Sequence, residues 1–277
     1  LRNRLTPLGD IVNSSPFYVA DTETIYVGAN DGMLHGIDAL TGDVEFSYVP
    51  AGVNFARLAD ISDPAYAHAY FVDGQVSVTS SRVTPGENFL VGALGRGGKG
   101  VFALDVSDPT DMDPGNNGDV LWDKTATADA DMGYVLGTPV LVRANNGEVV
   151  ALVPNGIEST NGDAVLYVIE VESGTVRAKI NTGNTTGNGL STPRTADLDA
   201  DGDVDYVYAG DLLGNMWKFD LSSANPSDWG VAYGGEPLFV ARTAGGAVQP
   251  ITGTPALARE TAGNRIWVSF GTRRFIY

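Results

Sequence analysis

The sequence predicts an all-β protein, a modified β-propeller whose blades are mostly four antiparallel strands joined by tight turns and long loop insertions. Three observations carry this. No window of about a dozen residues places apolar side chains at helical spacing without a Gly or Pro inside it, so amphipathic helices are not expected. Short runs rich in Val, Ile, Tyr and Phe alternate with clusters of Gly, Asn and Asp, as strands and turns do, and the chain holds 35 glycines. A unit of strand, Gly turn, strand and acidic residue then recurs at long period.

The first copy is IYVGANDGMLHGIDALTGDVEF from Ile25, and the second is FLVGALGRGGKGVFALDVS from Phe89. VVALVPNGIESTNGDAVLYVIEVESGTVRAKI from Val149 is the third, DYVYAGDLLGNMWKFDLSS from Asp205 the fourth, and RIWVSFGTRRF at Arg265 opens a fifth. Asp38, Asp105, Glu170 and Asp220 end the second strand of each copy, 50 to 67 residues apart, near the period of a blade with insertions. Ser15-Pro16, Thr138-Pro139, Thr192-Pro193 and Thr254-Pro255 precede most copies. Proline cannot donate to a central ladder, so it belongs at the start of a blade. One blade cannot bury both faces alone, whereas blades stacked around an axis bury each face against a neighbour. A β-sandwich leaves the long period unexplained. The expectation is therefore one propeller domain over residues 1–277, with about five blade units, cut from a larger protein. Inserts are expected at Asn54 to Tyr70 and Ser107 to Met132, and Trp122, Trp217, Trp229 and Trp267 are expected to pack between blades.

Composition narrows the function. At 43% hydrophobic residues the chain can build a core. Its 17 Lys and Arg against 34 Asp and Glu give a formal net charge of −17 with no local basic cluster, which argues against nucleic acid and for a divalent cation. The absence of cysteine excludes disulfides, thiolate zinc sites and cysteine nucleophiles. The longest apolar runs, such as Ala164 to Val171, fall far short of the roughly 20 residues of a membrane helix.

The most informative segment is DLDADGDVD, Asp197 to Asp205. Carboxylates at positions 1, 3 and 5 of such a loop converge as the chain curls around a cation. Gly202 at position 6 permits the sharp turn, Asp203 at position 7 offers its backbone carbonyl, and position 9 closes the shell. Position 12 is Tyr208 instead of the Glu of an EF-hand, and VDYVYAG reads as a strand, so the prediction is a β-hairpin loop. Asp197, Asp199, Asp201 and Asp205 supply side chains, and Asp203 its carbonyl. Oxygen-only ligands favour Ca²⁺ over Zn²⁺, and a flexible loop favours it over Mg²⁺.

Other candidates read as structural. The stretch Asp105 to Asp119 and the ADADMGY run from Ala128 lack regular ligand spacing and read as solvated loops. His35 and His68, the only histidines, stand in no metal or triad spacing and read as packing or surface residues. No G-x-S-x-G elbow is present. GALGRGGKG from Gly92 lacks the Lys-Ser/Thr ending of a phosphate loop and leads into a strand, so it reads as a long hairpin turn.

LGDIVNSSPFYV from Leu8, DMGYVLGTPVLVR from Asp131, NGLSTPRTADLDADGDVDYVYAGDLLGNMWKFDL from Asn188 and the terminal SFGTRRF together resemble the PilY/PilC family. These are type IV pilus biogenesis factors and tip-associated adhesins whose C-terminal half is a calcium-binding modified β-propeller. The resemblance implies Ca²⁺ at Asp197, Asp199, Asp201, the Asp203 carbonyl and Asp205, with occupancy regulating pilus extension and retraction. It implies a non-enzymatic protein at the cell surface, at the pilus tip or outer membrane of an exporting bacterium. Pilins or minor pilins, and a host or surface ligand, are the implied partners. Arg273 and Val149 depart from the usual Gly and Trp, and no Arg-Gly-Asp tripeptide occurs, so integrin binding is not implied. The competing class is a quinoprotein dehydrogenase that uses pyrroloquinoline quinone, because GIDALTGDVEF from Gly36 resembles the blade repeat of those enzymes. In that repeat, however, Asp and Thr-Gly shape the turn and carry no chemistry.

Overall fold

The computed structural model describes residues 8–63, 65–112, 118–183, 187–260 and 265–272. Arg273, the end of the SFGTRRF run and part of the Asp105 to Asp119 stretch lie outside the described residues.

Among the described residues strands account for most of the regular structure, the rest being one short α-helical turn and several 3₁₀ turns, and the strands pair antiparallel in chain order. The first sheet is β1 (Phe17–Val19), β2 (Thr24–Gly28), β3 (Leu34–Asp38) and β4 (Val44–Tyr48). The second is β5 (Val76–Val78), β6 (Phe89–Ala93), β7 (Gly100–Asp105) and β8 (Val120–Thr125). The third is β9 (Val140–Arg143), β10 (Val149–Pro154), β11 (Val165–Glu170) and β12 (Val176–Asn181). In the fourth, β13 (Arg194–Ala196), β14 (Tyr206–Gly210) and β15 (Asn215–Asp220) are followed by β16 (Gly230–Val231) and β17 (Phe239–Val240), which share the free edge of β15. The fifth sheet has two strands, β18 (Ala256–Arg259) and β19 (Ile266–Ser269).

The alternation of side chains shows how the sheets stack. Leu90, Phe102 and Leu104 join the core shared with the first sheet. Phe89, Val91, Ala93, Val101 and Ala103, from the same two strands, join Ala151, Val153, Val165 and Tyr167 of the third. Val150, Leu152, Leu166 and Val168 point the other way, onto Val207, Trp217 and Phe219 of the fourth. A middle strand thus feeds two cores through its two faces, which is why β6, β10 and β11 read as near-continuous apolar runs. Ser77 Oγ, on β5, donates to the Pro139 carbonyl just before β9 at 2.7 Å, and Thr138 N donates to Thr192 Oγ1 at 3.1 Å, so the leading edges of successive sheets touch. Gln75, Gly137, Ser191 and Thr252, beside these first strands, help line a cavity of about 310 Å³. Sheets stacked face to face with their first strands innermost are propeller blades.

The repeat residues act as turn hardware. Asp38 Oδ1 accepts from the Leu40 and Thr41 amides at 2.7 and 2.8 Å. Asp105, Glu170 and Asp220 likewise accept from the amides of Ser107, Ser173 and Ser222 at 3.0 Å each. Each of the four Ser/Thr-Pro pairs directly precedes the first strand of its blade, β1, β9, β13 or β18. A bulge falls at the same point of three blades, after Gly36, Ala103 and Val168.

Two expectations need correction, and one element was not expected. Ser107 to Met132 is not simply an insert, because β8 lies within it; its VLWDKT run is short and flanked by Asp, Asn and Gly, which masked the strand. A long excursion that went unread from the sequence follows β15 and carries β16 and β17, with exposed Tyr233, Leu238 and Phe239. Trp217, Trp122 and Trp229 are buried, but Trp267 is 66% exposed, because it lies on the face of β19 turned away from the fourth sheet. The insert from Asn54 does hold a helical turn, α1 (Phe55–Leu58), capped by the Asn54 side chain.

Candidate metal centre

The acidic loop joins β13 to β14, two strands in register at Ala196 and Tyr206, so its ends are fixed and only its middle is free to curl. The carboxylates organise that curl. Asp197 accepts from the amides of Ala200 at 2.6 Å and Gly202 at 3.0 Å, and Asp205 accepts from the Leu198 amide at 2.6 Å. Asp201 accepts from the Asp203 amide at 2.8 Å and Asp199 from the Asp201 amide at 3.3 Å. Gly202 sits at φ 101°, which a side chain resists, and Ala200 at φ 65°.

One oxygen each from Asp197, Asp199 and Asp205 lie within 4.8 Å of one another. Two oxygens that share a Ca²⁺ at about 2.4 Å each are at most about 4.8 Å apart, so the spacing fits one hard cation. The donors are all oxygen, which also fits. Asp201 is exposed and outside this trio. Asp203 turns its side chain to the neighbouring blade, where the Arg143 Nε stands 3.2 Å from its Oδ1, and its carbonyl remains the ligand that position 7 would offer. Burial pushes the Asp203 carboxyl above the ordinary carboxylate range; the Arg143 charge opposes this, and Asp201, Asp197 and Asp199 add to it.

Two residues of the third blade that sequence reasoning missed hold this loop. Asn145 Nδ2 donates to the Val204 carbonyl at 2.9 Å and the Leu221 carbonyl at 3.2 Å, and the Val204 amide donates to the Arg143 carbonyl at 2.9 Å. Val204 accordingly makes a parallel bridge to Ala144, and β14 begins only at Tyr206, two residues after the expected start. Nothing in the sequence marks a partner some 60 residues away.

The remaining candidates are structural. His35 is buried, with Nε2 3.1 Å from Asp31 Oδ2 and Nδ1 2.7 Å from Ser47 Oγ. Asp31 also accepts from the Gly9 and Met33 amides, so the group staples the β2–β3 turn to the preceding chain. His68 is exposed and pairs with Asp10 at 2.7 Å. Asp129 and Asp131, of the ADADMGY run, both pair with Lys179, at 2.7 and 2.6 Å. The GALGRGGKG segment is the β6–β7 hairpin with a 3₁₀ turn at Gly95–Gly97.

Stacked four-stranded blades with an acidic hairpin at a blade seam define the class, a β-propeller with a candidate cation loop. The model of the PilY1 β-propeller domain matches residues 5–276, and the chain belongs to that family. It is 36% identical over 327 residues to the type IV pilus biogenesis factor PilY1 of Pseudomonas aeruginosa strain UCBPP-PA14, covering 99% of this chain and 28% of that protein. A PilY1 homologue of Xylella fastidiosa is 38% identical over 303 residues, covering 99% of this chain and 24% of its own length. The chain thus spans about a quarter of the curated relatives it matches. The crystal structure of the P. aeruginosa PilY1 C-terminal domain superposes with a TM-score of 0.75 at 37% identity, over 91% of this chain and 52% of that one. The quinohemoprotein alcohol dehydrogenase of Comamonas testosteroni, at 12% identity and a TM-score of 0.55 over 94% of this chain and 39% of its own, shares the fold alone.

Proposed function

We propose that this chain is the calcium-binding propeller of a type IV pilus biogenesis and adhesion protein, non-enzymatic, and that Ca²⁺ occupancy of the β13–β14 loop regulates pilus extension and retraction. The convergence of Asp197, Asp199 and Asp205 carries the reading. The Asp201 side chain and the Asp203 carbonyl complete the ligand set. Five carboxylates within nine residues repel one another without a cation, so the empty loop is displaced from its filled position. A partner that prefers one of the two positions then senses calcium, and by linkage its binding alters calcium affinity. Pilins or minor pilins, with a host or surface ligand, are the proposed partners, and the cell surface, at the pilus tip or outer membrane, is the proposed location. Residues 1–277 form one domain of a larger protein in this reading, with β18 and β19 the inner half of a further blade.

Calorimetric titration of the wild type beside Asp205→Ala tests the site. Wild type should bind one Ca²⁺, and the variant should bind much more weakly; equal affinity would overturn the assignment. Loss of binding that left piliation and twitching unchanged in the parent organism would overturn the regulatory role.

A further inference from the structure

The loop is gripped from outside its own blade. Its exit, residues 203–205, is held from the turn between β9 and β10 of the third blade through one ion pair and two hydrogen bonds. The Arg143 side chain pairs with the Asp203 carboxylate at 3.2 Å, and the Arg143 carbonyl takes the Val204 amide at 2.9 Å. Asn145 Nδ2 then donates to the Val204 carbonyl at 2.9 Å, and Val204 forms the parallel bridge to Ala144. The same Asn145 amide reaches the Leu221 carbonyl at 3.2 Å, and the Leu221 amide donates to the Asp205 carbonyl at 2.8 Å. Asn145 therefore ties together the two backbone segments that fix Asp205, from a blade that contributes no carboxylate to the trio. Val204 and Ala144 are both buried in the core between the two blades, so this contact is packed as well as hydrogen-bonded.

We infer that Asn145, with Arg143, is a positioning residue for the metal loop, and that the β9–β10 turn is the element through which occupancy is felt outside the fourth blade. This rests on the calcium reading above and adds what holds the loop and where its state is transmitted. The physical logic has two parts. With the Asp203 side chain drawn to Arg143, position 7 is left with its backbone carbonyl to offer, as the loop spacing requires. With Val204 pinned on both its amide and its carbonyl, Asp205 is presented from a fixed backbone, so less ordering is left for the ion to impose. Linkage makes the effect mutual: a turn that favours the filled loop is itself steadied when the loop fills.

The test is calcium titration of the whole chain for the wild type and Asn145→Ala, with backbone hydrogen exchange followed at Ala144 and Gly147, whose amides close the β9–β10 turn onto Glu148 and Ala144. Asn145→Ala should bind calcium about tenfold more weakly, the usual scale for removing a group that orients a ligand. In the wild type, calcium should slow exchange at Ala144 and Gly147, although neither residue lies in the acidic loop. A purely architectural Asn145 would lower stability without moving either quantity. Equal calcium affinity in a folded Asn145→Ala overturns the inference and leaves the metal site standing, whereas a wild type that binds no calcium overturns both. Should Asn145→Ala fail to fold, the wild-type exchange decides: slowed exchange in the turn supports the inference, and unchanged exchange overturns it.

Discussion

Asp211 has none of its residue surface exposed, yet its carboxylate accepts five hydrogen bonds from nitrogen donors. Trp217 Nε1, Asn215 Nδ2 and Asn188 Nδ2 converge on Oδ2 at 2.8 to 3.0 Å, while the Leu213 and Asn215 amides take Oδ1. A buried carboxylate is tolerable only when its lone pairs are filled in this way. Asp211→Ala strands several buried donors and should cost about 3 kcal/mol or more, measured by urea unfolding. Asp31 plays the matching part in the first blade. Burial pushes its carboxyl up, but the His35 ring and the Gly9 and Met33 amides outweigh this and hold it below its ordinary value of 3.8. The native state then binds fewer protons than the unfolded chain, so the Asp31 contribution is fully present above pH 3.8 and is lost as pH falls through the lower folded value. Asp31→Asn should remove that part of the acid-limb slope in a stability–pH series.

Within the β13–β14 hairpin, the backbone and the carboxylates make separable contributions. A Cβ at Gly202 would meet nothing within 4 Å, so Gly202→Ala carries only the conformational cost of φ 101°, about 1 to 2 kcal/mol. Ala200, at φ 65° and exposed, already bears a cost of that kind. Gly202→Ala should weaken calcium binding about tenfold, while Ala200→Gly should leave it unchanged or slightly tighter, because only the first substitution opposes the curl. Calorimetric titration of the two variants checks the contrast. The hairpin was legible in sequence because odd-numbered aspartates around a glycine specify their own local geometry. The fourth strand of the second blade was not, because β8 earns its strand conformation from β7 beside it and from Trp122, whose Nε1 donates to the Val171 carbonyl of the next blade at 2.7 Å.

Across the whole molecule the core is apolar, so the proposed calcium would be a local ligand. Leu90, Leu152, Leu166 and Phe219 are fully buried in cores that no metal assembles. Removing calcium with a chelator should therefore lower the melting temperature by only a few degrees and leave far- and near-ultraviolet circular dichroism in place. Collapse of the near-ultraviolet signal on chelation would instead make the ion a folding element. The same architecture gives the proposed influence of the loop on its neighbour a physical route. Blades meet face to face along their length, so a hairpin at one seam is touched by the turn of the next blade, as Asn145 touches Val204.

By itself the sequence determined what depends on short spacing: strands from short runs rich in Val, Ile, Tyr and Phe, turns from glycine and the capping acids Asp38, Asp105, Glu170 and Asp220, the blade unit from the repeat, and the loop from its aspartates. Tertiary structure alone decided what depends on residues far apart in the chain. It set Asp203 against Arg143 and Val204 against Asn145, left Trp267 exposed while Trp217 was buried, and divided the outer strand of the fourth blade between β16 and β17. The physical reason is that a turn satisfies its hydrogen bonds among its own neighbours, whereas a blade face or a seam is satisfied only by whatever the stacking brings against it.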